Sequence, residues 1–114
     1  MIAVVNRYRH KPTDHDIYIG RGSPFGNPYS HMDGTTAIYR VDTREEAIEN
    51  YRVWFHRERL NNVIVYSRLN KMIAWLMRGG DINLVCTCAP KACHGDIIKQ
   101  YLESVLYENN QRNC

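Results

Sequence analysis

The chain has 114 residues, enough for one domain with one hydrophobic core and not for two. Hydrophobic residues make up 44% and charged residues 24%, an ordinary globular balance that argues against disorder. The formal net charge of +3 is too mild to indicate nucleic acid by itself.

No apolar run is long enough to span a bilayer, and no basic-then-apolar leader is visible, so a cytoplasmic protein without a membrane partner is expected. Of four cysteines, three lie between Cys86 and Cys93 and the fourth is Cys114. That spacing makes a poor disulfide framework. Reduced thiols serving as ligands, reactive groups or small buried residues fit it better.

In chain order, Ile2-Ala3-Val4-Val5 reads as a short buried strand. Residues 6–15 are polar and read as a loop, in which Arg7, Arg9, His10 and Lys11 form a small basic cluster. Ile17-Tyr18-Ile19 reads as a second strand ending at Gly20. The segment from Gly20 to Pro28 carries three glycines and two prolines, which exclude regular structure. Here Gly20, Arg21, Gly22, Ser23, Gly26 and Asn27 are the candidate ligand-binding residues. Glycines after a strand let backbone amides approach an anion, while Arg21 adds a bidentate grip and Ser23 a hydroxyl. The plainer reading is a connection whose glycines only satisfy turn geometry.

Residues 29–42 read as loop, with a turn at Asp33-Gly34 and a short edge strand at Ala37-Ile38-Tyr39. Thr43-Arg44-Glu45-Glu46 has the form of a capping box. Ala47, Ile48, Tyr51, Trp54 and Phe55 then mark one face of a helix, read as core. Val63-Ile64-Val65-Tyr66 fits a strand or the lead-in to a helix, with Ser67 as N-cap of a helix ended by Gly79-Gly80. Ile82 to Cys86 is the best strand pattern in the chain. Ile97, Ile98, Tyr101, Leu102, Val105 and Leu106 form the stripe of a last helix. The expected organisation is one Rossmann-like α/β domain over residues 1–107, a small mixed or parallel sheet with helices packed on it, followed by a frayed polar tail at 108–114.

Between the last strand and last helix lies Cys86-Thr87-Cys88-Ala89-Pro90-Lys91-Ala92-Cys93-His94-Gly95-Asp96, for which three readings compete. In an extended strand Cys86 and Cys88 point to one face, so Cys86, Cys88, Cys93 and His94 are a candidate zinc set, with zinc as the cofactor. Alternatively Cys93, His94 and Asp96 belong to a ligand or catalytic site at a helix N-terminus, which favours a thiolate or binds a phosphate. In the third reading the cysteines are small buried residues and His94-Gly95-Asp96 is a capping sequence.

The loop I-G-R-G-S-P-F-G-N-P, followed by C-T-C-A-P-K-A-C-H-G-D, resembles a small family of unknown function in bacteria and their phages. Its members pair these two motifs. The resemblance covers most of the chain and implies that both segments hold signature positions, without supplying an activity; for a phage-encoded member the compartment is the host cytoplasm. The leading expectation is that the two loops meet at one end of the sheet and bind a small phosphate-bearing or nucleoside-like ligand. If the site is catalytic, His94 or Asp96 is the acid/base and Cys93 the nucleophile. A protein that only sequesters a nucleotide needs the same pocket without a competent nucleophile. The rival is a zinc-stabilised interaction protein built on the Cys3His set, with a protein or nucleic-acid partner.

Overall fold

The computed structural model describes residues 1–34 and 37–112. Three strands form one all-parallel sheet: β1 (Ile2–Asn6), β2 (Asp16–Tyr18) and β5 (Ile82–Cys86), in the order β1-β5-β2. A separate two-stranded parallel ladder pairs β3 (Tyr29–Ser30) with β4 (Tyr39–Arg40). The helices are α1 (Arg44–Asn61), α2 (Val63–Met77) and α3 (Gly95–Arg112).

Parallel strands require crossovers, and here the two crossovers differ in kind. Between β2 and β5 the chain makes β3, β4, α1 and α2. Between β1 and β2 it makes only the loop 7–15, with no helix. Arg7 donates its amide to the Cys86 carbonyl (2.8 Å), so this loop leaves from the carboxyl end of β5. It returns at the other end, where Asn83 donates to the His15 carbonyl (3.0 Å).

Helix α1 starts as its capping box prescribes. The Thr43 hydroxyl accepts from the Glu46 amide (3.1 Å), and the Glu46 carboxylate reaches back to the Asp42 amide (3.2 Å). Its stripe of Ala47, Tyr51 and Phe55 is buried as expected. Val63 to Tyr66 belong to α2, so the strand alternative fails and Ser67 is not the cap. Asn62 is: its Oδ1 accepts from the amides of Ile64 and Val65. The β-branched run favours a strand locally, but the cap fixes the helix start and Val65, Leu69, Met72 and Leu76 bury on one helical face.

The core joins these faces to Ile19, Phe25, Ile82, Leu84, Ile97, Ile98 and Leu102. Helix α3 lies on β1 and β5 and also contacts α1 and α2. It runs through residues 108–112, which were expected as a frayed tail. Cys114 lies outside the described residues. No helix among them is long and apolar enough to cross a membrane.

Candidate functional site

The loops that follow β2 and β5 meet at the carboxyl ends of the parallel strands. Between them and the start of α1 lies a cavity of about 160 Å³. Gly20, Arg21 and Asn27 line it from the glycine loop, and Thr87, Cys88, Cys93 and His94 from the second loop. Tyr29, Ser30, His31 and Arg44 also line it.

The glycine loop is held by its own side chains. Ser23 Oγ donates to the Gly20 carbonyl (2.7 Å) and accepts from the Phe25 amide (3.3 Å). Gly22 sits at φ +95°, a conformation that disfavours any side chain. A Cβ at Gly26 would come within 2.9 Å of Arg21 Cα and the Gly20 carbonyl oxygen. These three residues therefore close the turn and do not line the cavity. Their bonds are those of a turn, and the half of the loop that faces the cavity is Gly20, Arg21 and Asn27.

Asn27 is buried and anchors the loop, donating to the Ala47 carbonyl (3.2 Å) and accepting from the Tyr29 amide (2.9 Å). Phe25 plugs the core beneath, and its carbonyl accepts from the Tyr51 hydroxyl (2.8 Å). Arg21 uses two of its N–H groups on the carbonyls of Asn27 and Tyr29 and keeps the others unused.

The second loop differs from expectation. β5 ends at Cys86, so Cys88 does not share its strand face. The turn runs through a cis Ala89–Pro90 bond and is pinned by Asn6, whose Nδ2 donates to the carbonyls of Thr87 (3.2 Å) and Ala89 (2.9 Å). The Cys86 and Cys93 sulfurs lie 3.5 Å apart in the core. Hydrogen bonding from Cys93 holds Cys86 below its ordinary range, whereas the same contact and burial hold the Cys93 thiol well above its own. Cys93 is thus kept protonated, contrary to the expectation for a helix-start nucleophile.

Helix α3 begins at Gly95, and its opening donors are already used. The Gly95 amide meets Cys93 Sγ (3.3 Å), and the Asp96 and Ile97 amides meet the carbonyls of Cys93 and His94. Asp96 in turn accepts from the Cys93 amide (3.2 Å), so it caps the turn. The amides of Cys93, Gly95, Asp96 and Ile97 are therefore already spent and not open to a phosphate.

His94 is buried. Its Nε2 lies 2.6 Å from the Ile19 carbonyl oxygen, and its ring meets Tyr51 edge-on. A carbonyl only accepts, so Nε2 carries the proton, and Nδ1 is the lone-pair atom of the neutral ring. Burial, with the Arg21 charge adding to it, keeps His94 below its ordinary pKa. The Nε2 bond leaves Nδ1 as the one ring atom with a lone pair to offer, and within the Cys3His set the sulfurs of Cys86 and Cys93 are the pair in direct contact. Among the described residues no three His, Cys, Asp or Glu side chains are grouped to hold a metal ion.

Arg44, missed in the sequence, is the informative addition. It is the first residue of α1, where the helix dipole favours an acidic side chain, and it has neither an ion pair nor a hydrogen bond to a described side chain. A basic residue in the first turn was the available signal.

Residues 5–104 match the family described as Domain of unknown function (DUF4326). A protein of Enterobacteria phage T4, described as an uncharacterised 12.4 kDa protein in the nrdA-td intergenic region, is 34% identical over 108 residues. That alignment covers 95% of this chain and 83% of the phage protein. No solved structure matches the chain.

Proposed function

Because this chain belongs to the DUF4326 family, whose function is unknown, we propose its role from the cavity itself: capture of a small phosphate-bearing, nucleotide-like ligand without turnover. The observation that carries this reading is the sign of the wall. Arg21 and Arg44 line the cavity, beside His31 and the neutral His94, and no carboxylate does. Two arginines from different elements, neither of them paired with a carboxylate, suit a charge-assisted grip on phosphate.

The volume sets the scale of what enters. At about 160 Å³ the cavity is smaller than a typical whole-ligand site, so it takes the phosphate end and leaves the rest of the nucleotide at the mouth. The Rossmann-like description reaches no further than this placement at the carboxyl ends of parallel strands. Capture is favoured over catalysis because Cys93 is held as a thiol and Asp96 is spent on a cap.

Calorimetry with inorganic phosphate, ribose 5-phosphate, AMP and adenosine tests the reading. The three phosphate-bearing compounds bind, adenosine does not, and Arg44→Gln weakens AMP by at least about tenfold. Adenosine binding as tightly as AMP, or no binding by any of the four at millimolar concentration, sinks it.

A further inference from the structure

A second and larger concavity, about 440 Å³, lies at the opposite end of the sheet, where β2 and β5 begin. It opens between the start of β2 and one face of α2 and shares no lining residue with the cavity above. Its volume is that of a site for a whole small molecule.

The floor is apolar, made by Ile17 and Ile82 from the strands and Met72 from the helix. One wall is the His15–Trp75 ring pair, stacked with centroids 5.6 Å apart. Both members are fixed. The Trp75 indole N–H donates to the Asp81 carbonyl (2.9 Å), and His15 is held through its amide and carbonyl.

The rim on the helix side carries Arg68 and Lys71. With Met72 and Trp75 they stand at i, i+3, i+4 and i+7, a single face of α2 turned to the groove. Like charges at this spacing oppose each other, and α2 contains no acidic residue to offset them. Neither cation has an ion pair or hydrogen bond among the described residues. Across the groove Asp16 is already saturated by His10, Thr13 and Asn83, and the exposed Asp14 carboxylate repels an anion toward the helix.

We propose that this groove binds a small amphipathic anion, with a flat apolar body on the Ile17–Met72–Ile82 floor against the ring wall and a terminal carboxylate or phosphate on Arg68 and Lys71. The site is independent of the phosphate cavity at the other end of the sheet. Its ligand differs in needing an apolar body as well as a charge.

The test is an amide-resolved NMR titration of the full chain with 2-naphthoate, 2-naphthyl phosphate and the uncharged 2-naphthamide. The two anions shift the amides of Ile17, Met72 and Ile82, and naphthamide binds at least about tenfold more weakly. The tighter of the two anions identifies the head group. In Arg68→Gln/Lys71→Gln, both changes being on the exposed helix surface, the anions fall to the naphthamide level while naphthamide is unchanged. The proposal is overturned if naphthamide binds as tightly as the anions, if the double variant leaves them equal to wild type, or if shifts fall only around Arg21 and His94. Absence of any shift at millimolar ligand overturns it too.

Discussion

His94 and Ile19 are joined by a 2.6 Å hydrogen bond across 75 residues of sequence, and this bond clasps the two signature loops to each other. Ile19 is the last residue before the glycine loop, and His94 the last before α3. The bond fixes the ring tautomer, and the Tyr51 ring packs on its edge while the Tyr51 hydroxyl holds Phe25 in the glycine loop. One histidine and one tyrosine thus set the distance between the walls of the cavity.

This arrangement makes folding sensitive to mild acid. The folded-state pKa of His94 is depressed, so below about pH 6.5, the ordinary histidine value, the unfolded chain binds a proton that the folded chain refuses. Stability is therefore fully present above pH 6.5 and declines as pH falls toward the folded-state value, with a slope of at most about 1.4 kcal/mol per pH unit for the one proton. His56, lowered by burial and by Arg59 and Arg52, adds with the same sign. Denaturant titrations between pH 7.5 and 5 compare wild type with His94→Gln. The variant is less stable at pH 7.5 but loses less on acidification; equal slopes for both proteins would contradict the assignment.

Arg44 predicts a trade between stability and binding. A cation in the first turn of α1 opposes the helix dipole, so Arg44→Gln raises stability by about 0.3–1 kcal/mol in the absence of ligand. The same change removes one of the two arginines of the cavity and weakens phosphate compounds. Thermal unfolding with and without saturating AMP checks both halves. The variant melts higher alone and gains less from the ligand.

The sheet and helix order were readable from sequence because their signals are local: an apolar run at Ile82–Cys86, a capping box at Thr43 and a helical stripe after Asp96. That the two loops meet was readable from their shared position after strands. What each residue does there was not. Gly22, Ser23 and Gly26 carry the motif yet serve the turn, because a loop this tight spends its special residues on its own geometry. The cysteines suggested ligands because their spacing in sequence says nothing of the partners each sulfur finds once folded. Asn6 pins a loop far away in the chain and Arg44 lines a cavity walled by both loops, and no periodicity marks such placements.

Gly95 tests how closely α3 must approach the sheet. A Cβ there would stand 2.9 Å from Ile19 Cδ1 and Val4 Cγ1, and 3.3 Å from Cys93 Sγ. These are buried or half-buried side chains with little freedom to retreat. Gly95→Ala would gain helix propensity in an open site, but overpacking decides the sign here. The expected loss is about 1–3 kcal/mol by denaturant midpoint at unchanged m value. A neutral or stabilising result would mean that α3 sits further from β1 than described.

The thiols give the last test, because two effects oppose each other there. A thiol held below its ordinary pKa is the more reactive by its ionisation, and Cys86 is that member of the pair. Yet Cys86 is 1% exposed and Cys93 3%, and an alkylating reagent must collide with the sulfur it modifies. Cys93, which lines the cavity, is held protonated and so is doubly protected. Access wins over ionisation. With iodoacetamide at pH 7.5 and peptide mapping by mass, half-buried Cys88 is modified before either member of the pair. Cys86 and Cys93 react only in denaturant, or at the rate of global opening. If Cys93 is instead alkylated first in the native protein, it is a free thiolate facing the cavity, and the case for capture without turnover is lost.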